Sequence, residues 1–275
     1  MIDFAKKYGV SFWLEKNKVD FPKTLFKYRT WSNQFHRYFI SNREVFFASP
    51  TSFEDDLDCK SPPRYDLLSK NEILELFEDY SHRRNPHFSP TQHLEFINEL
   101  RENSPLNDPI KVKEWMSHYN EKYFEREGIF SLTANYNNNQ MWTKYSENNK
   151  GFCVAYDSEV LFNYLGGGGA VKYVEKLPIV KPRPFMSLDE AFFIRVFHKT
   201  NEWKFEQEYR AIKFLKDNET QADRKVTLPQ NAIIAIILGD KMPPKFEEEL
   251  RGSVKSNIGD VEILRRNQVN LNSFN

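Results

Sequence analysis

The chain has 275 residues, with 39 Lys+Arg against 39 Asp+Glu and no formal net charge. That length suits one large domain, or a domain with an elaborated insertion, and the charge balance argues against a protein held to nucleic acid by a global basic field. The longest aliphatic run, Ala232 to Leu238, is too short for a membrane span, and the residues after Met1-Ile-Asp-Phe-Ala-Lys-Lys lack the apolar stretch of a secretory signal.

From Leu25 to Ser52 the pattern reads strand, helix, strand: Leu25-Phe-Lys-Tyr-Arg alternates, Gln34 to Asn42 has helical spacing, and Glu44-Val-Phe-Phe-Ala-Ser is a short apolar strand. Pro50, Pro62 and Pro63 bracket an acidic loop, Glu54-Asp-Asp-Leu-Asp58. Ser69-x-x-Glu72 is a capping box for a helix to about Tyr80. Ser89-Pro90-Thr-Gln92 opens another to about Glu102, and Asn107-Asp-Pro109 a third to about Glu125. Residues 64–127 therefore read as a helical block inserted between strand-forming parts.

Strands return after Gly128, at Ile129–Thr133, Gly151–Tyr156, Val171–Val174, Glu208–Leu215, Lys225–Leu228, Ala232–Leu238 and Val261–Arg265. Short helices are expected over Gln140–Glu147, Ser158–Leu165, Leu188–His198 and Pro243–Ser256. Strands cluster rather than alternate with helices, so the expected fold is one α+β domain with a mainly antiparallel mixed sheet. Aromatic residues make up 15% of the chain against 40% hydrophobic in total, so the core must lean on rings.

Several groupings read as scaffold. Gly166 suits a left-handed helix cap, and with no GxGxxG or Gly-Lys-Ser/Thr the glycines 166–169 read as a flexible turn rather than a phosphate nest. His82, His87 and His93 straddle Pro86 and Pro90, a poor spacing for zinc. His36, His118 and His198 are single residues on helical stretches. Cys59 and Cys153 form no CxxC and read as reduced thiols, which implies a cytoplasmic protein.

The strongest constellation is Trp203-Lys-Phe-Glu206-Gln-Glu208-Tyr-Arg210. In a strand, Glu206 and Glu208 share one face, and near an apolar wall one of them has its pKa raised. Such a pair can orient a hydroxyl or stabilise a developing cation; alternatively Arg210 or Lys204 simply neutralises it. Trp142 and Tyr145 share a helical face and could stack a ring.

Leu25-Phe-Lys-Tyr-Arg29, Phe46-Phe-Ala-Ser-Pro-Thr-Ser-Phe53 with its trailing acids, Met141-Trp-Thr-Lys-Tyr145, Gly151-Phe-Cys-Val-Ala-Tyr-Asp157, and Lys199 ahead of Trp203-x-x-Glu-x-Glu-Tyr-Arg210 occur in that order. Together they resemble the bacterial family called domain of unknown function 2971, over about residues 25–240. Where the family pattern has Asn-Asp-Pro, this chain has Glu54-Asp55-Asp56. The company such proteins keep implies a phage-defence or toxin effector, with a neighbouring protein as its restraint.

Tyr28-Arg29, then Ser49-Pro-Thr-Ser52, then Glu206-Gln-Glu208 is more distantly similar to the mono-ADP-ribosyltransferases. That resemblance implies NAD as substrate. Arg29 would fork onto the pyrophosphate, Ser49 would hold the nicotinamide ribose, Glu208 would stabilise the oxocarbenium-like state, and Glu206 would orient or deprotonate the acceptor. The acceptor, whether protein, nucleic acid or small molecule, is left unnamed. The competing readings are a non-catalytic binding module and a metal-dependent nuclease or phosphodiesterase built from Asp55, Asp56, Asp58 and Glu208. The transferase reading expects Arg29, Ser49, Asp56, Trp142, Tyr145, Glu206, Glu208 and Arg210 around one concave surface, with Tyr28 alongside.

Overall fold

The computed structural model describes residues 1–13 and 21–269, with backbone alone over 118–123. Its helices are α1 (Ile2–Tyr8), α2 (Gln34–Ser41), α3 (Lys70–Arg84), α4 (Pro90–Asn103), α5 (Pro109–Phe124), α6 (Asn139–Tyr145), α7 (Ser158–Leu165), α8 (Leu188–Phe197) and α9 (Pro244–Asn257). Its strands are β1 (Phe12–Trp13), β2 (Thr24–Arg29), β3 (Glu44–Phe46), β4 (Glu127–Thr133), β5 (Phe152–Asp157), β6 (Gly168–Ala170), β7 (Lys172–Val174), β8 (His198–Thr200), β9 (Glu208–Phe214), β10 (Lys225–Thr227), β11 (Ile233–Leu238) and β12 (Glu262–Arg265).

Eight strands form one sheet in the order β1-β6-β9-β4-β2-β5-β11-β12, antiparallel except for β11 with β12. The fold is α+β, as the clustered strand pattern predicts. Three predicted strands lie outside the main sheet: β3 pairs with β10, and β7 pairs in parallel with β8. The core is aromatic on both faces. Phe130, Phe152, Tyr156 and Phe162 are fully buried on one side, and Trp142 with Tyr28 on the other. Each ring buried this way contributes roughly 1.5–3 kcal/mol.

The helical block opens on both predicted capping boxes: Ser69 with Glu72, and Ser89 with Gln92. It is tied to the remainder through the Arg64 amide, which donates to the Val180 carbonyl at 2.8 Å, and through Lys181 to Glu72 at 2.9 Å. No helix among the described residues is long and apolar enough to cross a membrane. In the histidine cluster, His93 lies 2.7 Å from the Ser81 hydroxyl with its ring 3.9 Å from that of His82, while His87 is exposed. The side chain of His118 lies outside the described residues.

The glycine quartet is only half a turn. Gly166 is the left-handed cap of α7, at φ 82°. Gly168 and Gly169, however, belong to β6, wedged between β1 and β9. A Cβ at Gly168 would sit 2.1 Å from Phe162 Cε1 and 2.7 Å from the Arg210 carbonyl, so close approach rather than flexibility demands glycine here. Gly168→Ala is therefore expected to cost about 1–3 kcal/mol by overpacking. Gly252→Ala, whose Cβ would meet nothing within 4 Å in α9, should gain up to about 1 kcal/mol. Thermal unfolding of the two variants side by side checks the pair.

Candidate functional site

The main sheet is two well-zipped halves joined by almost nothing. β4 and β9 share seven residue pairs, β2 and β5 share six, but β2 meets β4 only at Phe26 opposite Thr133. Beyond that pair the strands part, and the Lys27 amine reaches across to donate to the Ser131 carbonyl. A cavity of about 260 Å³ opens at the gap, lined by residues 26–29 of β2 and 131–133 of β4. The acidic loop, Tyr145 of α6, Lys199 of β8, Trp203, Glu206 and Glu208 complete its wall.

Local geometry brings the two glutamates in by a route the sequence does not announce. Glu206 ends a 3-10 helix, Gln207 takes a left-handed backbone at φ 44°, and Glu208 begins β9. The expected alternation through both residues is therefore replaced by a turn, yet both line the cavity. Asn138 stitches the opposite wall on: its side-chain oxygen caps α6, and its amide donates to the Phe205 carbonyl at 2.6 Å. That bond sets Tyr145 against Glu206, whose Oε1 accepts the phenol proton at 2.5 Å.

Behind the glutamates lies a buried ionic cluster. Arg210 grips Glu208 with two bonds of 2.7 Å and reaches Asp58 at 2.8 Å. Its remaining nitrogen donates to the Val196 carbonyl at 2.6 Å and to Cys59 Sγ at 3.0 Å. Lys199 bridges all three acids, at 2.6 Å to Glu206, 3.1 Å to Asp58 and 3.4 Å to Glu208. Three carboxyls thus share two cations. The imbalance falls on one residue.

Burial alone would raise Glu208, but Arg210 and Lys199 outweigh it and hold its carboxyl well below the ordinary range. Glu206 goes the other way: burial first, then the charge of Glu208, push its pKa up. With a proton on Glu206, two carboxylates face two cations and the buried cluster is neutral. Lys199 stays charged, because Glu208, Asp58 and Glu206 overcome its own burial.

The β2 side carries the opposite character. Lys27 and Arg29 alternate with Phe26 and Tyr28, and neither has a carboxylate within ion-pair distance among the described residues. Arg29 lies 4.3 Å from the Phe39 ring centroid and donates to the Tyr28 carbonyl at 3.1 Å, and its buried Nε has no partner among the described residues. Burial pulls its pKa down to about 10. The cavity is therefore bipolar, with basic groups that lack a carboxylate partner on one strand and acids opposite.

Of the residues singled out from sequence, Tyr28, Arg29, Tyr145, Glu206 and Glu208 line this one cavity, and Arg210 stands directly behind Glu208. The other three do not line it. Ser49 is used up locally: its oxygen caps the turn at Pro50 and its hydroxyl donates to the Phe124 carbonyl at 2.8 Å, so Ser52 takes its place in the wall. Asp56 is fully exposed, 3.7 Å from Lys60, while Asp55 and Asp58 face the cavity. Trp142 is buried below, edge-on to Tyr28 at 4.9 Å, its indole N–H donating to the Tyr136 carbonyl, and stacks on no ligand surface.

The acids proposed for a nuclease are not arranged as a cation site. Asp58 and Glu208 are taken by Arg210 and Lys199, Asp56 points to solvent, and no group of three or more ligating side chains is placed to hold a metal among the described residues. Comparison of the chain with family models, curated proteins and solved structures finds no match. Two charged lining residues escape sequence reasoning, Lys27 and Lys199 in its bridging role. The available signal for Lys27 is a second cation two residues before Arg29 in a strand that is otherwise apolar.

Proposed function

We propose that the cavity takes an NAD-type dinucleotide, breaks the bond between nicotinamide and ribose, and passes ADP-ribose to an acceptor. The observation that carries this reading is the opposite tuning of two carboxyls in one cavity, Glu208 held ionised and Glu206 pushed toward its protonated form. Pairs driven apart in this way commonly divide acid–base and electrostatic roles. An ionised Glu208 suits the positive charge that develops on the ribose as the C1′–N bond breaks. The bonding electrons pass to the ring nitrogen, and nicotinamide leaves neutral. In its ionised form Glu206, made a stronger base by the same raised pKa, takes the proton of the acceptor as its oxygen or nitrogen bonds to C1′.

Arg29, without a carboxylate partner, supplies charge for a phosphate group. The volume of about 260 Å³ lies just under the roughly 300–1,000 Å³ of sites that enclose whole drug-sized ligands. It therefore fits one base–ribose–phosphate half, with the other half along the opening. Support also comes from order in the chain, since the Arg, Glu-x-Glu pattern shared with mono-ADP-ribosyltransferases ends in one cavity. The resemblance to domain of unknown function 2971 extends the proposal to a defence or toxin effector with a neighbouring protein as its restraint.

The test is NAD labelled separately in its nicotinamide and adenine halves, incubated with purified protein and with protein, nucleic-acid and small-molecule acceptors. Free nicotinamide with adenine label on an acceptor is the expected result. Absence of both NAD binding and nicotinamide release, across all acceptors, would overturn the reading.

A further inference from the structure

The cavity holds one nucleophile that glycosyl transfer does not use. Lys27 Nζ spans the parted strands, lines the cavity, and donates to a neutral carbonyl, that of Ser131, rather than to a carboxylate. The Phe130 ring centroid is 5.3 Å from the amine, and Arg29 shares its strand face two residues on. An apolar neighbour and an adjacent fixed cation are the two environments that keep a lysine amine unprotonated and reactive.

We infer that Lys27 is an imine-forming amine that takes small carbonyl compounds bearing a carboxylate or phosphate, with Arg29 as the seat of the anionic group. The Nζ lone pair adds to the carbonyl carbon, both amine hydrogens leave with the carbonyl oxygen as water, and a C=N bond remains. No oxidant or reductant is needed. Protonation of the product gives an iminium, and its new positive charge sits beside the anion of the ligand.

The groups that face the amine bear this out in sign. Burial comes first and Arg29 second in lowering its pKa well below the ordinary lysine value, with Arg210 of β9 adding to them. Glu208 and Glu206 oppose, from across the cavity, without reversing the shift. On the other sides, His36 of α2 is pushed down to about 4, by burial first and then by Arg29 and Lys27, and Cys153 of β5 has its thiol raised by burial, so the imidazole and the thiol are both neutral neighbours.

The inference goes beyond the NAD reading and is tested without NAD. Glyoxylate, an anionic aldehyde, and acetaldehyde, a neutral one, are each added near neutral pH with cyanoborohydride to fix any imine. Peptide mass spectrometry then follows each lysine in time. Lys27 should label on the order of tenfold or more faster than exposed lysines such as Lys113 and Lys245, because each unit of lowered pKa raises the free-amine fraction tenfold. Glyoxylate should label Lys27 faster than acetaldehyde does. Arg29→Gln should erase that preference, and Lys27→Arg should remove the fast site while leaving surface labelling unchanged. Labelling of Lys27 at or below the surface rate in folded wild type would overturn the inference. A glyoxylate preference that survives Arg29→Gln would overturn the anion seat.

Discussion

Arg210→Met is expected to lower the free energy of unfolding by about 3–5 kcal/mol, the range for removing one partner from a buried ion pair. The substitution roughly keeps volume but leaves Asp58 and Glu208 dependent on Lys199 alone. It also strands the Val196 carbonyl, which the guanidinium serves at 2.6 Å. Exposed pairs give the contrast: Arg83→Met, which breaks an i,i+4 bond to Asp79, should cost about 0.3–0.5 kcal/mol. The pH dependence fixes the mechanism. In the wild type the folded pKa of Glu208 is depressed, so its contribution is present above the unfolded glutamate value, near 4.3, and is lost as pH falls toward the folded value. Without Arg210 burial dominates and protonation relieves the strained carboxylate. The gap between wild type and variant should therefore be widest near neutrality and narrow on acidification, as read from denaturant midpoints. Equal stability at pH 7 would show that the cluster is not held by this arginine.

Much of the framework is legible from local chemistry. The capping boxes at Ser69 and Ser89 satisfy orphan helix donors wherever the chain goes, so their helices start as the sequence predicts. Strand β5 reads correctly because an apolar run bounded by Gly151 and Asp157 has few alternatives. The gap between β2 and β4 is not legible, because pairing length depends on the partner strand and on what its side chains do across the sheet. Lys27 offers its amine to a carbonyl there, and alternation alone gives no sign of it. Nor does the sequence say which hydroxyl or carboxylate of a local run turns inward. Ser49 and Asp56 were the natural choices by type, but a helix cap and a solvent-facing turn claim them, and Ser52, Asp55 and Asp58 are left for the cavity. Convergence of Glu206 with Glu208 was expected for a strand and is achieved by a left-handed Gln207 instead.

Glu206→Gln is expected to reduce transfer of adenine label to an acceptor by about 100-fold or more, the usual cost of losing a positioned acid–base group. The melting temperature should stay the same or rise. The glutamine oxygen can still accept from Lys199, 2.6 Å from the present carboxyl, while its NH2 donates to the Tyr145 hydroxyl, which lies 2.5 Å away and can turn to accept. It also removes the third acid from a cluster with two cations, so Asp58 and Glu208 then balance Lys199 and Arg210. The sign follows from the raised pKa of Glu206: its folded form favours the proton, so its contribution is present below the unfolded glutamate value and is lost as pH rises through the folded one. Wild type should lose stability over that rise and the glutamine variant should not, so the difference between their melting temperatures should grow from acid toward neutral pH. Glu208→Gln provides the opposite case, losing both rate and stability, since it loosens the two-bond grip of a fully buried Arg210. A Glu206→Gln protein that melts normally and transfers label at the wild-type rate would remove Glu206 from the reaction. If wild type turns over no NAD and both proteins bind it equally, the cavity is a binding site and the paired carboxyls serve recognition.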